Sequence, residues 1–105
     1  MNKHILVIGS INMDVITNIR KVPLPGESSL GTSLSFIPGG KGANQAVALS
    51  RLGADVSFYG KVGKDAFGFE ILNHLNEEKL DTSKIFLEED ISTGVALIIV
   101  QKLMH

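Results

Sequence analysis

Cysteine is absent from this 105-residue sequence, charge of one sign does not dominate it, and no long apolar run occurs. Without cysteine there are no disulfide scaffolds, thiolate metal sites or cysteine nucleophiles. A membrane helix needs about eighteen consecutive apolar residues, and the N-terminal run at 5–8 is also too short for a signal peptide. Ten basic residues against 11 acidic ones exclude the basic footprint of a nucleic-acid binder. We therefore expect a cytoplasmic protein with no nucleic-acid or membrane partner.

Strands are indicated by several short apolar runs. The run at 4–9 is continuous and predicts a strand buried on both faces of a parallel sheet. A second core strand is predicted at 56–62. Smaller strands are predicted near 15–19, 29–37 and 93–100. The length allows one domain, or part of a larger one.

Two helices alternate with these strands. The first is predicted from Gly42 to Leu52, with Gly53 placed to end it. Asp65 is predicted to cap the second helix, whose apolar stripe is Phe67, Ile71, Leu72 and Leu75. The polar stretch at 81–83 is predicted to break that helix. Alternating helices and strands predict an α/β fold with a mainly parallel sheet and an added β element.

The first candidate site follows the first strand, where ligands of open α/β sheets bind. If the chain stays extended there, Asn12 and Asp14 point to the same side, because strand side chains alternate. A carboxylate accepts hydrogen bonds, and an amide both donates and accepts them. The pair is therefore suited to neighbouring hydroxyl groups. The alternative is that both residues only build a turn.

The second candidate site is a glycine-rich loop that leads into the first helix. Gly39, Gly40 and Gly42 allow a ligand to approach the main chain, and free N–H groups at the helix start would form a polar cradle. Asn44 is expected in the first turn, facing the same ligand. Lys41 would add a positive charge or remain solvated.

Two familiar phosphate-binding patterns fit this loop poorly. The P-loop requires a glycine where Ser35 stands, and a serine or threonine where Gly42 follows the lysine. The dinucleotide fingerprint requires a third glycine where Gln45 stands. A dinucleotide-binding domain therefore remains only a weak alternative. The three histidines show no metal-ligand spacing, and no metal site is predicted.

Taken together, five segments closely resemble the N-terminal part of ribokinases, in order and in spacing. They are Gly9-Ser10-Ile11-Asn12-Met13-Asp14, Pro25-Gly26-Glu27, Gly39-Gly40-Lys41-Gly42-Ala43-Asn44-Gln45-Ala46, Val62-Gly63-Lys64-Asp65 with Gly68, and Ser92-Thr93-Gly94-Val95-Ala96. The resemblance extends from about Ile5 to Val100. Deoxyribokinases share much of this pattern and are the nearest competitor.

The resemblance implies a ribokinase-like α/β fold: the N-terminal part of a mainly parallel sheet flanked by helices, plus a small β lid. It implies ATP-dependent phosphorylation of D-ribose at O5, with Mg²⁺ and a monovalent cation such as K⁺. Asn12 and Asp14 would hold the ribose hydroxyls. The segments 15–19, 29–37 and 93–100 would form the lid, which covers the sugar and pairs two subunits as a homodimer. The sugar site would be closed by Gly39, Gly40, Lys41, Gly42 and Asn44.

The resemblance covers only the first third of a ribokinase. The family's catalytic aspartate lies in a later Gly-Ala-Gly-Asp motif, which does not occur in this sequence. The elements that bind ATP and the cations also lie later. Residues 1–105 are therefore expected to be the N-terminal fragment of a single ribokinase-like domain. The fragment would hold most of the sugar half-site, contain no catalytic residue and be inactive alone.

Three alternatives remain open. The first is a fragment of a deoxyribokinase or of another sugar kinase. The second is a non-enzymatic module that binds a sugar or dimerises, and the third is the dinucleotide-binding domain. The sequence does not decide between ribose and deoxyribose.

Overall fold

The computed structural model describes residues 4–101, which form six strands and two helices. Their order matches the predicted α/β alternation, with one additional strand. The elements are β1 His4–Ile8, β2 Asn12–Ile19, β3 Ser33–Gly39, α1 Lys41–Arg51, β4 Asp55–Gly63, α2 Ala66–Glu77, β5 Asp81–Glu88 and β6 Val95–Gln101.

The first sheet is wholly parallel, in the order β1-β4-β5. Val7 lies opposite Phe58, and Gly60 opposite Ile85. Phe58, on the central strand, is completely buried. Both helices pack on the face of the sheet that carries Phe58, because the apolar stripe of each helix is stabilised by burial against an apolar surface. The core consists of Val7, Met13, Ala43, Ala46, Val56, Phe58, Val62, Ile71, Leu75, Leu80 and Ile85.

The opposite face of the first sheet is uncovered in the described residues. Its apolar side chains Leu6, Ile8, Tyr59 and Phe86 are 43–70% exposed. A parallel sheet normally has both faces covered. The radius of gyration is 16.7 Å, against about 13 Å for a compact domain of this length. The chain therefore has large apolar surfaces that remain available for packing.

The second sheet has the order β3-β2-β6. β2 pairs antiparallel with β3 and parallel with β6. It is reached from the carboxyl ends of the first sheet, since β1 continues into β2 through 9–11 and β5 continues into β6 through 89–94. The expected lid segments thus form one separate sheet. The observed strands, 12–19, 33–39 and 95–101, differ in their limits from the expected 15–19, 29–37 and 93–100. The reason is that each strand extends only as far as its backbone pairs with the neighbouring strand.

Local signals at the helix ends are confirmed. The Asp65 side chain accepts a hydrogen bond from the Gly68 N–H (2.8 Å) and caps α2. Gly53 has a φ of +94° just after α1, a conformation that costs glycine little. Gly40 precedes α1 with a φ of +102°.

The strand β5 is a correction to the sequence analysis. Residues 81–83 were expected only to break the second helix, and two core strands were expected in the first sheet. The third core strand begins at Asp81 and pairs with β4 from Ser57 to Gly63. Its only apolar residues are the three consecutive ones at 85–87, after a polar first half, so the segment has no alternating apolar pattern. Its extended form depends on pairing with β4, which is a tertiary interaction.

A chain of polar side chains joins the amino ends of the three parallel strands. His4 Nδ1 lies 3.0 Å from Asp55 Oδ2, and His4 Nε2 lies 2.8 Å from the Ser57 hydroxyl oxygen. The Ser57 hydroxyl donates to Asp81 Oδ2 at 3.2 Å. These hydrogen bonds explain how Ser57 is buried without loss of its polar partners.

Among residues 4–101, no helix is long and apolar enough to cross a membrane.

Close backbone packing holds α1 against the turn between β1 and β2. The Ala43 N–H donates to the Ser10 carbonyl at 3.1 Å. A Cβ added at Gly42 would lie 2.8 Å from Gly9 Cα, which is closer than side chains approach a backbone.

We expect Gly42→Ala to destabilise the fold by about 1–3 kcal/mol, because the backbone of the turn must move to admit a methyl group. Gly94→Ala is the matched control, since its added Cβ would meet nothing closer than 3.6 Å. Urea denaturation of both variants gives the comparison. Equal midpoints for the two variants would contradict this account of the contact.

Candidate functional site

Asn12 and Asp14 lie on one face of β2, as the alternation predicted. The Asn12 amide Nδ2 donates to Asp14 Oδ1 at 2.7 Å. Both residues are half-buried. Asn12 and Asp14 do not form a turn, because both belong to the strand β2. This strand begins at Asn12, three residues before the predicted start at residue 15. The contact orients the carboxylate and leaves Asp14 Oδ2 and Asn12 Oδ1 for other partners.

Two glycines at the end of β3 leave room beside this pair. Gly39 lies opposite Asn12 in the antiparallel ladder. A Cβ at Gly39 would lie 2.6 Å from Asp14 Oδ2, so any side chain there would displace the carboxylate. A Cβ at Gly40 would lie 2.7 Å from the Ser10 carbonyl oxygen. Gly39 thus lets the main chain approach the carboxylate closely, and Gly40 lets it approach the Ser10 backbone.

The amino end of α1 lies at the same place, but its N–H groups are mostly used within the protein. Ser10 accepts from Ala43 through its carbonyl and from Gly42 through its hydroxyl (3.5 Å). The expected cradle of free N–H groups is therefore wrong for these two residues. Asn44 lies in the first turn, as expected, and Lys41 begins α1, one residue before the predicted start at Gly42. Both side chains are exposed.

β6 adds an apolar wall that the sequence analysis did not assign. Ala96 lies opposite Asp14, and Ile98 lies opposite Ile16. Paired residues share a sheet face, so Ala96 and Ile98 lie on the same face as the Asn12–Asp14 pair. The alternation within β6 is visible in the sequence. The face that each residue occupies depends on the register with β2, which the sequence does not reveal.

A second polar cluster joins the end of β4, the start of α2 and the segment that enters β6. Asp65 Oδ1 accepts from the Thr93 hydroxyl at 2.6 Å, and Asp65 Oδ2 accepts from the Thr93 N–H at 2.9 Å. The Thr93 hydroxyl oxygen accepts from the Gly63 N–H at 2.9 Å. The hydrogen bonds from Thr93, and then the one from the Gly68 N–H, lower the pKa of Asp65 below its ordinary value. Asp65 is predictable from the sequence as a cap, but no local signal indicates Thr93, 28 residues away, as its partner.

An apolar groove of about 380 Å³ lies between the second sheet and α2. It is lined by Met13, Phe36, Pro38, Ala66, Phe67 and Glu70. The Phe36 and Phe67 rings are 5.5 Å apart. Met13 occupies the face of β2 opposite to Asn12 and Asp14, so this groove is separate from the polar pair. In residues 4–101, no group of three or more histidine or acidic side chains could hold a metal ion.

A parallel α/β sheet with a second sheet at its carboxyl edge, together with a carboxylate–amide pair beside a glycine pair, is the arrangement expected of a carbohydrate-kinase type of fold. The profile of the pfkB family carbohydrate kinases matches residues 2–104. The chain belongs to this family.

Among curated proteins, the chain is 46% identical to a ribokinase of Bacillus subtilis over 97 residues, which is 92% of this chain and 33% of that protein. It is 54% identical to a ribokinase of Lactococcus lactis over 72 residues, or 68% of this chain and 24% of that protein. The chain thus spans about a third or less of these relatives.

The ribokinase of Arabidopsis thaliana, solved with ribose and ATP, is structurally similar, with a TM-score of 0.88 and 30% identity. The match covers 96% of this chain and 33% of that one. The ribokinase-like fold expected from the sequence is therefore confirmed.

The dinucleotide-binding alternative does not fit the structure. A dinucleotide fingerprint would require its glycine-rich loop to follow a strand of a parallel βαβ unit, whereas the loop here follows β3, which pairs antiparallel in the second sheet.

We expect the acid stability of the fold to depend on Thr93. The pKa of Asp65 is lowered in the folded chain, so its stabilising effect is complete above the unfolded pKa and is lost as pH falls through the folded pKa. Thr93→Val removes the hydroxyl donor and should raise the pKa of Asp65 toward its ordinary value. Urea midpoints between pH 3 and 6, with an NMR titration of the Asp65 carboxyl group, measure both effects.

The pKa values of Glu78 and Asp81 are lowered as well, so these groups also contribute to the pH dependence of stability. The contribution of Asp65 is therefore read from the difference in urea midpoint between the parent chain and Thr93→Val at each pH. Ser92→Ala, one residue away, is the control. An unchanged titration of Asp65 in Thr93→Val would contradict the assignment of this hydrogen bond.

Proposed function

We propose that the protein containing this chain phosphorylates D-ribose at O5 with ATP, and that these residues supply most of the sugar half-site. The observation that carries the proposal is the Asn12–Asp14 pair, held at 2.7 Å on one face of β2. It lies at the carboxyl edge of a parallel sheet, where such folds bind ligands. The ribokinases that the chain resembles in sequence and fold support the choice of sugar.

Each site residue has a chemical role in this proposal. Asp14 accepts hydrogen bonds from sugar hydroxyls, and Asn12 both orients Asp14 and binds a hydroxyl itself. Gly39, Gly40 and Gly42 shape the site, because they let β3 and α1 approach the Asp14 carboxylate and the Gly9–Ser10 backbone closely. Lys41 and Asn44 close the site from α1, and Ala96 contacts the carbon face of the ring.

The reaction also needs parts that these residues do not supply. Phosphoryl transfer depends on positioning both substrates and on stabilising charge at the transferred phosphate. A general base must lie near the attacking hydroxyl, and Asp14 is better used in binding. We assign ATP as the phosphoryl donor, with Mg²⁺ and a monovalent cation such as K⁺, to elements beyond these residues. We propose a cytoplasmic location for the protein, because ATP and free sugars are available there.

The direct test is a fusion of residues 1–101 to the remaining two thirds of the Bacillus subtilis ribokinase. We expect the fusion to release ADP in the presence of ribose. Asp14→Ala should weaken ribose binding at least roughly tenfold, because charge-assisted hydrogen bonds contribute about 1.5–3 kcal/mol each. ATP binding should be unaffected. Calorimetry with ribose and with 2-deoxyribose measures affinity and separates the two sugars.

The control is Asp90→Ala, which removes an exposed carboxylate from the connection between β5 and β6. It should leave the affinity for ribose unchanged. Equal ribose affinity in Asp14→Ala and the parent fusion would refute the site. A fusion that binds 2-deoxyribose more tightly than ribose would move the proposal to a deoxyribokinase.

The second sheet is also proposed as the dimer contact. Leu34, Leu97 and Ile99 share the face opposite to Asp14 and are 62–77% exposed. β6 is an edge strand without charge or proline between Val95 and Val100, and such edges readily pair with another chain. Two copies that pack these faces together would bury the most apolar surface of the sheet.

We expect the chain to form dimers or larger species at micromolar concentration, and Leu97→Glu to shift them toward monomer. The carboxylate would be costly to bury in an apolar contact. Leu52→Glu is the matched control, because Leu52 is 84% exposed at the end of α1. Light scattering coupled to gel filtration measures the molar mass of the parent chain and of both variants. A parent chain that stays monomeric would contradict the proposed contact.

A further inference from the structure

Asp65 is the shared acceptor for three donors from two separate parts of the chain. It accepts the Gly68 N–H, which caps α2, and both the N–H and the hydroxyl of Thr93. Thr93 is 4% exposed and 28 residues away in sequence. A cap needs only one of these hydrogen bonds. The other two tie α2 to the segment that enters β6.

The surroundings of this pair leave no room for other side chains. A Cβ added at Gly63 would lie 2.5 Å from the Thr93 nitrogen, and one added at Gly68 would collide with the Gly63 carbonyl oxygen. The Gly63 N–H donates to the Thr93 hydroxyl oxygen at 2.9 Å. Both glycines therefore allow the close approach that the hydrogen bonds of Thr93 require.

The next residue connects this cluster to the candidate sugar site. The Gly94 carbonyl accepts from the Met13 N–H at 2.9 Å, and Met13 lies between Asn12 and Asp14. This hydrogen bond is the first link between β6 and β2, and it sets the register in which Ala96 lies opposite Asp14. A slip of one residue would turn Ala96 to the other face and bring a larger side chain beside Asp14.

We propose that Asp65 and Thr93 are positioning residues of the sugar site: they hold the start of β6 so that Gly94 binds Met13 and Ala96 lies beside Asp14. The inference rests on the proposed sugar binding. Neither residue is expected to contact the sugar, because Thr93 is 4% exposed and the side-chain oxygens of both residues are used in hydrogen bonds within this cluster. Their removal should weaken ribose binding through β6 and leave ATP binding unchanged.

Two variants separate positioning from capping. Asp65→Asn keeps an N-cap residue of equal quality, but its side chain cannot accept at both oxygens, so one hydrogen bond from Thr93 is lost. Thr93→Val keeps the shape and removes the hydroxyl, whereas Thr93→Ser retains the hydroxyl and serves as the rescue variant. Ile71→Val is the control for stability, because Ile71 is completely buried on α2 and makes none of the hydrogen bonds of this cluster.

The measurements use the ribokinase fusion for kinetics and the chain itself for amide hydrogen exchange. We expect Asp65→Asn and Thr93→Val to raise the KM for ribose roughly tenfold, with the KM for ATP unchanged. Thr93→Ser and Ile71→Val should keep the parent KM for ribose. The Met13 N–H should exchange faster in Thr93→Val than in Ile71→Val, because its acceptor Gly94 is no longer held.

The outcomes distinguish this inference from the proposed function. A normal KM for ribose in Thr93→Val, with loss of binding in Asp14→Ala, overturns the positioning role alone. An equal rise in the KM values for ribose and ATP, or the same rise in Ile71→Val, assigns Asp65 and Thr93 to stability only and also overturns it. A fusion that binds no sugar at all removes the proposed function, and the inference falls with it.

Discussion

The close contact between Gly9 and Gly42 is the constraint on which the arrangement of the two sheets depends. It lets α1 pack its first turn directly on the backbone that leaves β1. Ser10 then binds two N–H groups of α1, and β2 starts at Asn12. Because β3 ends at Gly39 and α1 begins at Lys41, the same contact is consistent with Gly39 lying opposite Asn12. The polar pair and the glycine pair meet as a consequence.

The two sheets differ in how well the described residues cover them. The first sheet packs both helices on one face, and Val56, Phe58 and Val62 of its central strand are nearly inaccessible to solvent. Its other face and much of the second sheet expose large apolar side chains. Such surfaces are costly in water, so their burial against another surface would be favourable.

Asp65 shows how one carboxylate can serve two structural purposes. As a cap it satisfies a donor at the start of α2, and as a partner of Thr93 it holds the entry to β6. Its lowered pKa follows from these hydrogen bonds, since each donor favours the charged form. The helix and the second sheet are thereby linked through one side chain.

The sequence by itself determined the α/β class and the resemblance to ribokinases. Both helices were determined as well, with Gly53 just after the first and Asp65 as the cap of the second. It also predicted that Asn12 and Asp14 share a face, because alternation in a strand is a local property. Tertiary structure decided β5, which has little apolar pattern and extends by pairing with β4. Only the folded chain brings Thr93 to Asp65 and Ala96 to Asp14, because those contacts depend on how distant strands are placed and registered, and no local spacing encodes that register.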